Sequence, residues 1–349
     1  MRRRALLALP LLVGSAHARA AGAWIDMYPP GLLAREQPRL QSRLDQLFAI
    51  LRGIIGRGGA SDAATRKLAG VRILVPLSDP AGVPLNFWSE YSAVGGAVVM
   101  PVFSLVFVEE FCTAYAWLYH NGHSLETVDE YLAMLRFKRA DDFSGGRYPP
   151  PMTALGVPAS AIDDEVVGKL GLRFRNSAYA FIMAHELGHI LAGHPSADHV
   201  PTEQSRTNEA DADAFALSVF ARASEIPMGA IVFFQAQAYV MPSLGEFLAS
   251  GHSEADWTCE MQTRMTHPLT ADRLKAMAEA LRAQATRTTG AESESLRYIA
   301  VRLAMIADTL NITDLQQCMA VAAAHARPED LLPRPDGAVG EFLGKCVRR

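Results

Sequence analysis

The feature that most constrains this fold is an apolar stretch that carries ionisable side chains, AYAFIMAHELGHILAGH at residues 178–194. Its apolar residues recur at helical spacing, which predicts a buried helix. Residues four apart share a helix face, so His185 and His189 point the same way, and Glu186 lies on the adjoining flank. Burying two imidazoles and a carboxylate is costly unless these groups are paired or bind a metal. The rest of the chain must therefore supply partners for them.

The spacing of these residues matches the HExxH arrangement, in which two histidines bind zinc and the glutamate acts as general base. A chance occurrence is the alternative, and a third ligand would decide between the two. A metzincin would need a histidine ten residues after His185, where Pro195 stands, so that class is excluded. His194 lies five residues beyond His189 and rotates off the ligand face. We interpret it as a residue at the helix end or one that contacts a ligand from outside, structural rather than ligating.

A second segment, NEADADAFA at residues 208–216, supplies the missing ligand. Glu209 follows a polar loop that lets the chain turn back, and Asp213 lies four residues further on the same helix face. Glu209 can bind the ion while Asp213 accepts the outer N–H of a ligand histidine and fixes its tautomer. A solvated acidic helix start is the alternative. Together with HELGH, the segment favours a site for one Zn²⁺ per chain.

These two motifs resemble those of the M48-type gluzincin metallopeptidases, a family that includes the CAAX prenyl proteases and soluble periplasmic relatives. The second family motif is Glu-x-x-Ala-Asp, which Glu209 to Asp213 match. The third is Ser/Thr-His-Pro with an arginine six residues after the histidine, and THPLTADR matches it through Thr266, His267, Pro268 and Arg273. The resemblance covers about residues 70–285. It implies an α+β, mainly helical zincin-like fold with a small β-sheet or hairpin and an HExxH active-site helix.

The resemblance also implies a mechanism and a function. His185, His189 and Glu209 would hold zinc, Glu186 would act as general base, and His267 and Arg273 would stabilise the oxyanion or order the helix. For His267, a helix start capped by Thr266 is an equal alternative. The implied function is a zinc-dependent endopeptidase acting on protein or peptide substrates, including misfolded envelope proteins. A latent or chaperone-like binding protein and a zinc hydrolase of other amides remain alternatives.

The chain departs from the family in ways that favour the soluble periplasmic branch. The membrane-bound members have long hydrophobic helices around the site, whereas the run from Ala97 to Val108 is short and interrupted by Pro101. We therefore expect no transmembrane segment in the mature chain, although peripheral membrane contact is open. The tail after residue 290 is too short for a tetratricopeptide domain.

The first twenty residues predict export. MRRR is a cationic start, ALLALPLLVGSA is a short apolar core, and AHARA offers cleavage after Ala18 or Ala20. We expect a signal peptide at 1–20, a metallopeptidase domain at 21–285, a short helical extension at 286–349 and a periplasmic location. An uncleaved N-terminal anchor is the alternative. The chain has 33 basic and 37 acidic residues, which gives no reason to expect a nucleic acid partner.

Coarser patterns predict the surrounding elements. We expect a helix at 36–58, a strand at 71–77, a hairpin at the double glycine 95–96, and Pro101 on an edge strand. Helices should follow around 111–122 and 124–137, then a Gly- and Pro-rich loop at 144–158. The polar segment 195–207 should separate the two motif helices. The cysteines permit three disulfide pairings or free thiols; they are Cys112, Cys259, Cys318 and Cys346.

Overall fold

The computed structural model describes residues 25–59, 61–78, 84–92, 95–195, 202–240, 253 and 271–311, together with positions 321–323, 325–327, 331, 333 and 335. Over these residues the protein is mainly helical with one small sheet, which confirms the predicted class at that level. The helices are α1 (Pro30–Arg57), α2 (Asp62–Ala69), α3 (Val102–His120), α4 (Glu126–Phe137), α5 (Pro151–Ala154), α6 (Glu165–Ala192), α7 (Thr202–Ala223), α8 (Met228–Val240), α9 (Ala271–Ala285) and α10 (Gly290–Asn311). The strands are β1 (Val71–Leu74), β2 (Trp88–Ser92) and β3 (Gly95–Val99).

The sheet is mixed, with the strand order β1-β3-β2. β2 and β3 form the predicted antiparallel hairpin, and β1 runs parallel to β3. The double glycine begins β3, and a Cβ on Gly96 would lie 2.5 Å from the Glu90 carbonyl oxygen and 3.2 Å from Cδ1 of Ile190. Only glycine therefore permits this sheet to lie directly on α6, one residue beyond His189.

The two edges of the sheet differ. Gln37 and Gln41 of α1 donate their side-chain N–H groups to the carbonyl oxygens of Val75 and Ile73, at 2.9 and 3.0 Å. These bonds occupy acceptors along and just beyond β1 that another strand would otherwise use. In the part of the chain that the structure describes, β2 pairs only with β3, so its other side is an edge.

Helix α6 contains HELGH, and both of its ends are well defined. The Asp164 carboxylate accepts hydrogen bonds from the backbone N–H groups of Val166 and Val167, both at 2.9 Å, as an N-cap should. Gly193 ends the helix with φ 74°, the left-handed conformation that glycine adopts readily. The second half of α6 is almost entirely buried and packs against α3, α7 and α8. It is the central helix of the core.

Two glycines permit very close contacts between helices. A Cβ on Gly188 of α6 would lie 3.0 Å from Cα of Ala212 on α7. A Cβ on Gly229 of α8 would lie 2.1 Å from the backbone nitrogen of Ala178 on α6. The first contact brings together the helices that carry HELGH and EADADAFA, and so determines how close their polar side chains come.

Two sequence predictions about element boundaries are wrong. Pro101 is not on an edge strand: β3 ends at Val99, and Pro101 is the residue that precedes α3. Its fixed φ of −59° suits a helix start as well as a strand. The polar segment 195–207 is not all loop, because α7 begins at Thr202. The predicted helix at 124–137 is confirmed within two residues, and the one at 36–58 is confirmed as the larger part of α1, which begins at Pro30. The predicted helix at 111–122 is only the second half of α3, which begins nine residues earlier at Val102.

Helix α3 is long and apolar enough to span a membrane by length and composition, and 72% of its most apolar window is buried inside the protein. Core helices of soluble proteins show the same combination, so this is weak evidence for a span. Cys112 lies on α3 and is a buried free thiol. The predicted signal peptide, His267 and the cysteines 259, 318 and 346 lie outside the described residues. The domain division remains a prediction.

Candidate metal centre

Three buried side chains bring one donor atom each to a common point. Nε2 of His185 and Nε2 of His189 lie 3.1 Å apart. The Glu209 carboxylate lies 3.4 Å from the first nitrogen and 3.2 Å from the second. All three residues are buried, at 5%, 8% and 2% exposure respectively. This group can hold a metal ion.

The separations between the donor groups suit a zinc site. Ligands at about 2.0–2.1 Å from zinc, placed tetrahedrally, lie about 3.3–3.4 Å from one another. The two nitrogens are 3.1 Å apart, Oε1 of Glu209 lies 3.2 Å from Nε2 of His189, and the other carboxylate oxygen, Oε2, lies 3.4 Å from Nε2 of His185. Two imidazoles and one carboxylate also form a donor set that leaves a fourth position open for water or substrate. The residues present therefore fit the ion that the motifs predict.

The outer nitrogen of each histidine has its own partner. Nδ1 of His185 lies 2.9 Å from Oδ1 of Asp213. An anionic acceptor there keeps the proton on Nδ1 and leaves Nε2 free to face a metal. Nδ1 of His189 lies 3.0 Å from Nδ1 of His194. Each imidazole is thus contacted at Nδ1, the nitrogen that faces away from the metal position.

Arg273 of α9 joins the two carboxylates of α7. Its guanidinium lies 2.7 Å from Oε2 of Glu209, and it donates two bonds to Asp213, at 2.5 and 2.9 Å. Fork-shaped pairing of this kind fixes both position and orientation. Arg273 is 8% exposed, so the three groups form a buried network.

Electrostatic coupling in the site is strong. Although burial opposes the charge, the Arg273 guanidinium and the hydrogen bond with His185 hold the pKa of Asp213 below its usual range. Burial likewise disfavours the charged form of His185, but its bonds with Asp213 and Glu209 raise its pKa to about 10. Burial and the neighbouring His185 lower the pKa of His189.

The formal charges of the site favour a divalent cation. Glu186, Glu209 and Asp213 contribute three carboxylates, all at most 2% exposed, and Arg273 contributes one positive charge. With both histidines neutral, as metal ligands must be, two negative charges remain in a region shielded from water. A divalent ion cancels them.

The structure brings together most of the sequence-predicted site residues: His185, Glu186, His189, Glu209, Asp213 and Arg273. Sequence reasoning missed two features. It placed His194 off the ligand face without naming its partner, and the structure shows that the chain turns back at Gly193 and brings His194 to His189. The glycine four residues after the motif was the available signal. It also left the partners of Arg273 open, and the structure assigns them as Glu209 and Asp213.

The family model of Peptidase U49 matches residues 173–291, about a third of the chain. This range contains α7, α8 and α9 and most of α6, and so every residue of the metal centre. No curated protein and no solved structure matches the chain. The family match supports a peptidase, and hence a hydrolase that takes protein or peptide substrates. It does not single out the M48-type family.

Proposed function

We propose that this protein is a zinc-dependent endopeptidase whose active site is the metal centre between α6 and α7. The observation that carries the proposal is the convergence of buried His185, His189 and Glu209, whose ligand atoms lie within 4.8 Å of one another, within the segment that matches a peptidase family. The adjacent Glu186 supplies the base that such a site needs.

When bound, zinc supplies a Lewis acid that acidifies water and polarises a carbonyl group. Glu186, 2% exposed and next to His185, takes the proton that the attacking water loses and passes it to the leaving amine. Asp213 accepts the Nδ1 proton of His185 and so keeps the metal-facing nitrogen of that ring free of a proton. Arg273 holds the Glu209 carboxylate in place. For His267 we retain the role that the family resemblance implies, near the developing oxyanion.

The outer edge of β2, which pairs with no other strand among the described residues, offers a place for an extended peptide. A peptide can add to a sheet edge through main-chain hydrogen bonds. The β1 edge is occupied by Gln37 and Gln41, so strand addition is directed to β2. β2 packs on α6, and Gly96, which pairs with Tyr91 at the end of β2, contacts Ile190 beside His189. A substrate bound there would extend the sheet that packs on the helix carrying HELGH.

For location we propose the bacterial envelope, on the basis of the N-terminal sequence alone. The cationic start, apolar core and Ala-rich end at residues 1–20 are typical of an export signal. N-terminal sequencing of the exported chain tests this, because a mature protein should begin after Ala18 or Ala20. A chain that retains Met1 in the cytoplasm would contradict it. Envelope proteins, particularly misfolded ones, are then the proposed substrates.

The testing experiment combines zinc content with cleavage of an unfolded protein. The purified wild-type chain should hold about one zinc and cleave a reduced, alkylated protein substrate. Glu186→Gln should retain zinc and lose cleavage by a factor of at least about 10³, because the site then lacks its base. Glu165→Gln, on an exposed position of the same helix, is the matched control and should be unaffected. A Glu186→Gln chain that cleaves as fast as wild type would refute the mechanism.

The same assay separates the proposal from its alternatives. Zinc binding without cleavage of any unfolded protein or peptide would point to a latent binding protein or to another amide substrate. A folded wild-type chain that takes up no zinc, even when the ion is added, would refute the metal centre itself.

A further inference from the structure

The helix that carries HELGH ends in a turn that returns the chain to its own active site. Gly193 adopts φ 74° and donates its N–H to the carbonyl oxygen of His189 at 3.0 Å. The N–H of His194 bonds to the same oxygen, also at 3.0 Å. The Gly193 N–H also reaches the carbonyl oxygen of Ile190 at 3.2 Å, and this bond together with that of His194 defines a Schellman-type helix end. The turn places the His194 ring beside the His189 ring, with centroids 5.1 Å apart and planes at 72°.

The two rings meet through their Nδ1 atoms, at 3.0 Å. A hydrogen bond between two imidazole nitrogens needs one of them to carry the proton and the other to accept it. If His194 carried it, neutral His189 would have its proton on Nε2, which faces His185 and Glu209. That tautomer would block the metal position. Metal binding therefore requires the proton on Nδ1 of His189 and an acceptor on His194.

The surroundings of His194 favour the accepting form. With Nδ1 as acceptor, its own proton lies on Nε2, and that nitrogen is 3.9 Å from Oδ2 of Asp211. This distance is too long for a hydrogen bond, but the negative charge favours a proton on that side of the ring. The His194 side chain is only 11% exposed, so water competes little for its position.

The two predicted metal-binding histidines are supported unequally. His185 is held by Asp213, a buried carboxylate that Arg273 fixes through two bonds. By contrast, Nδ1 of His189 contacts the neutral ring of His194. We propose that His194 is a positioning residue: it accepts the Nδ1 proton of His189 and so keeps Nε2 of that ring directed at the metal. This inference rests on the proposed zinc site and adds to it a residue that the HExxH motif does not include.

The test compares two replacements in the full-length protein. His194→Phe keeps a ring but removes the acceptor, whereas His194→Asn keeps an acceptor oxygen near the position of Nδ1. Zinc affinity is measured by competition with a chromophoric chelator at fixed pH. We expect His194→Phe to bind zinc about 10–100-fold more weakly than wild type, the usual cost of losing such a partner. His194→Asn should recover most of that loss. His120→Phe, at an exposed histidine on α3, is the matched control and should bind as wild type does.

The outcomes separate this inference from the proposed function. Wild-type zinc binding with an unchanged His194→Phe affinity would overturn the role of His194 and leave the metal centre intact. Equal weakening in His194→Phe and His194→Asn, with both chains folded by circular dichroism, would show that the acceptor is not what matters and would also overturn it. A folded wild-type chain that binds no zinc would overturn the metal centre, and this inference with it.

Discussion

Gly188, the fourth residue of HELGH, sets the distance between the two helices that build the metal centre. A Cβ added there would lie 3.0 Å from Cα of Ala212 and 3.3 Å from Cβ of Phe215, both on α7. Non-bonded carbon atoms are most stable about 3.5–4.0 Å apart, so Gly188→Ala requires α6 and α7 to separate by about 0.5–1 Å. The nearest atom belongs to the backbone, and therefore no side-chain rotation can relieve the contact.

The separation should weaken both the stability of the protein and its metal binding. Overpacking costs about 1–3 kcal/mol, and replacing a helical glycine by alanine returns about 1 kcal/mol. The free energy of unfolding should therefore fall by no more than about 2 kcal/mol. Metal–ligand distances tolerate only about 0.2 Å, and Glu209 moves with α7 while His185 and His189 stay on α6. We expect zinc affinity to fall by about tenfold or more.

The assay measures zinc affinity and urea unfolding of the same Gly188→Ala protein. Gly171→Ala is the matched control, because Gly171 lies on the same helix and its added Cβ would meet Cα of Thr113 at 3.4 Å, an ordinary contact. The control should gain about 1 kcal/mol and bind zinc normally. If Gly188→Ala gains the same stability and keeps wild-type zinc affinity, Gly188 does not set the helix separation and the reasoning is refuted.

Two further predictions concern buried charges away from the metal centre. Glu109 of α3 pairs with Arg39 and Arg43 of α1 and with Arg175 of α6. Glu109→Gln should lower the free energy of unfolding by about 2–3 kcal/mol, because Arg175, only 16% exposed, loses its anion; an unchanged urea midpoint would contradict this. Burial raises the pKa of Glu110 from 4.5 to about 7. The native state then holds this proton to higher pH than the unfolded state does. The stabilisation that protonated Glu110 provides is complete below about pH 4.5 and is lost as the pH rises through 7. The free energy of unfolding should fall by about 3 kcal/mol over that range. Glu110→Gln should remove that part of the pH dependence, and urea unfolding at pH 5 and pH 8 measures it. If the free energy of unfolding of Glu110→Gln differs between pH 5 and pH 8 as much as that of wild type, this prediction is wrong.

The sequence predicts best where one helix carries the whole pattern. The period of the apolar residues around HELGH is enough to place His185 and His189 on one face, because both lie on α6. The glutamate of the second motif follows from the same reasoning applied to α7. Pro101 shows the limit of such patterns. An apolar, β-branched run with a proline fits an edge strand and a helix start equally, and only packing decided for the helix.

His194 shows how a local conformation can defeat a periodic argument. Continuing the helix beyond His189 rotates the fifth residue away from the ligand face, but the helix ends at Ala192 and Gly193 adopts a left-handed conformation. The chain then reverses, and His194 contacts the outer nitrogen of the His189 ring, a contact that the helical period does not predict. A glycine directly after an apolar helix is therefore a reason to reconsider the residue that follows it.

The partners of Arg273 could not be predicted from any local sequence pattern. Arg273 lies 60 residues beyond Asp213, on a helix whose packing depends on the rest of the core, yet it bonds both Asp213 and Glu209. Two buried carboxylates on one helix face repel each other, and α7 can hold them together only because this guanidinium lies between them. The geometry of the metal centre is thus shared among three helices. α6 supplies two donors, α7 supplies the third, and α9 supplies the charge that lets α7 present its carboxylate to the site.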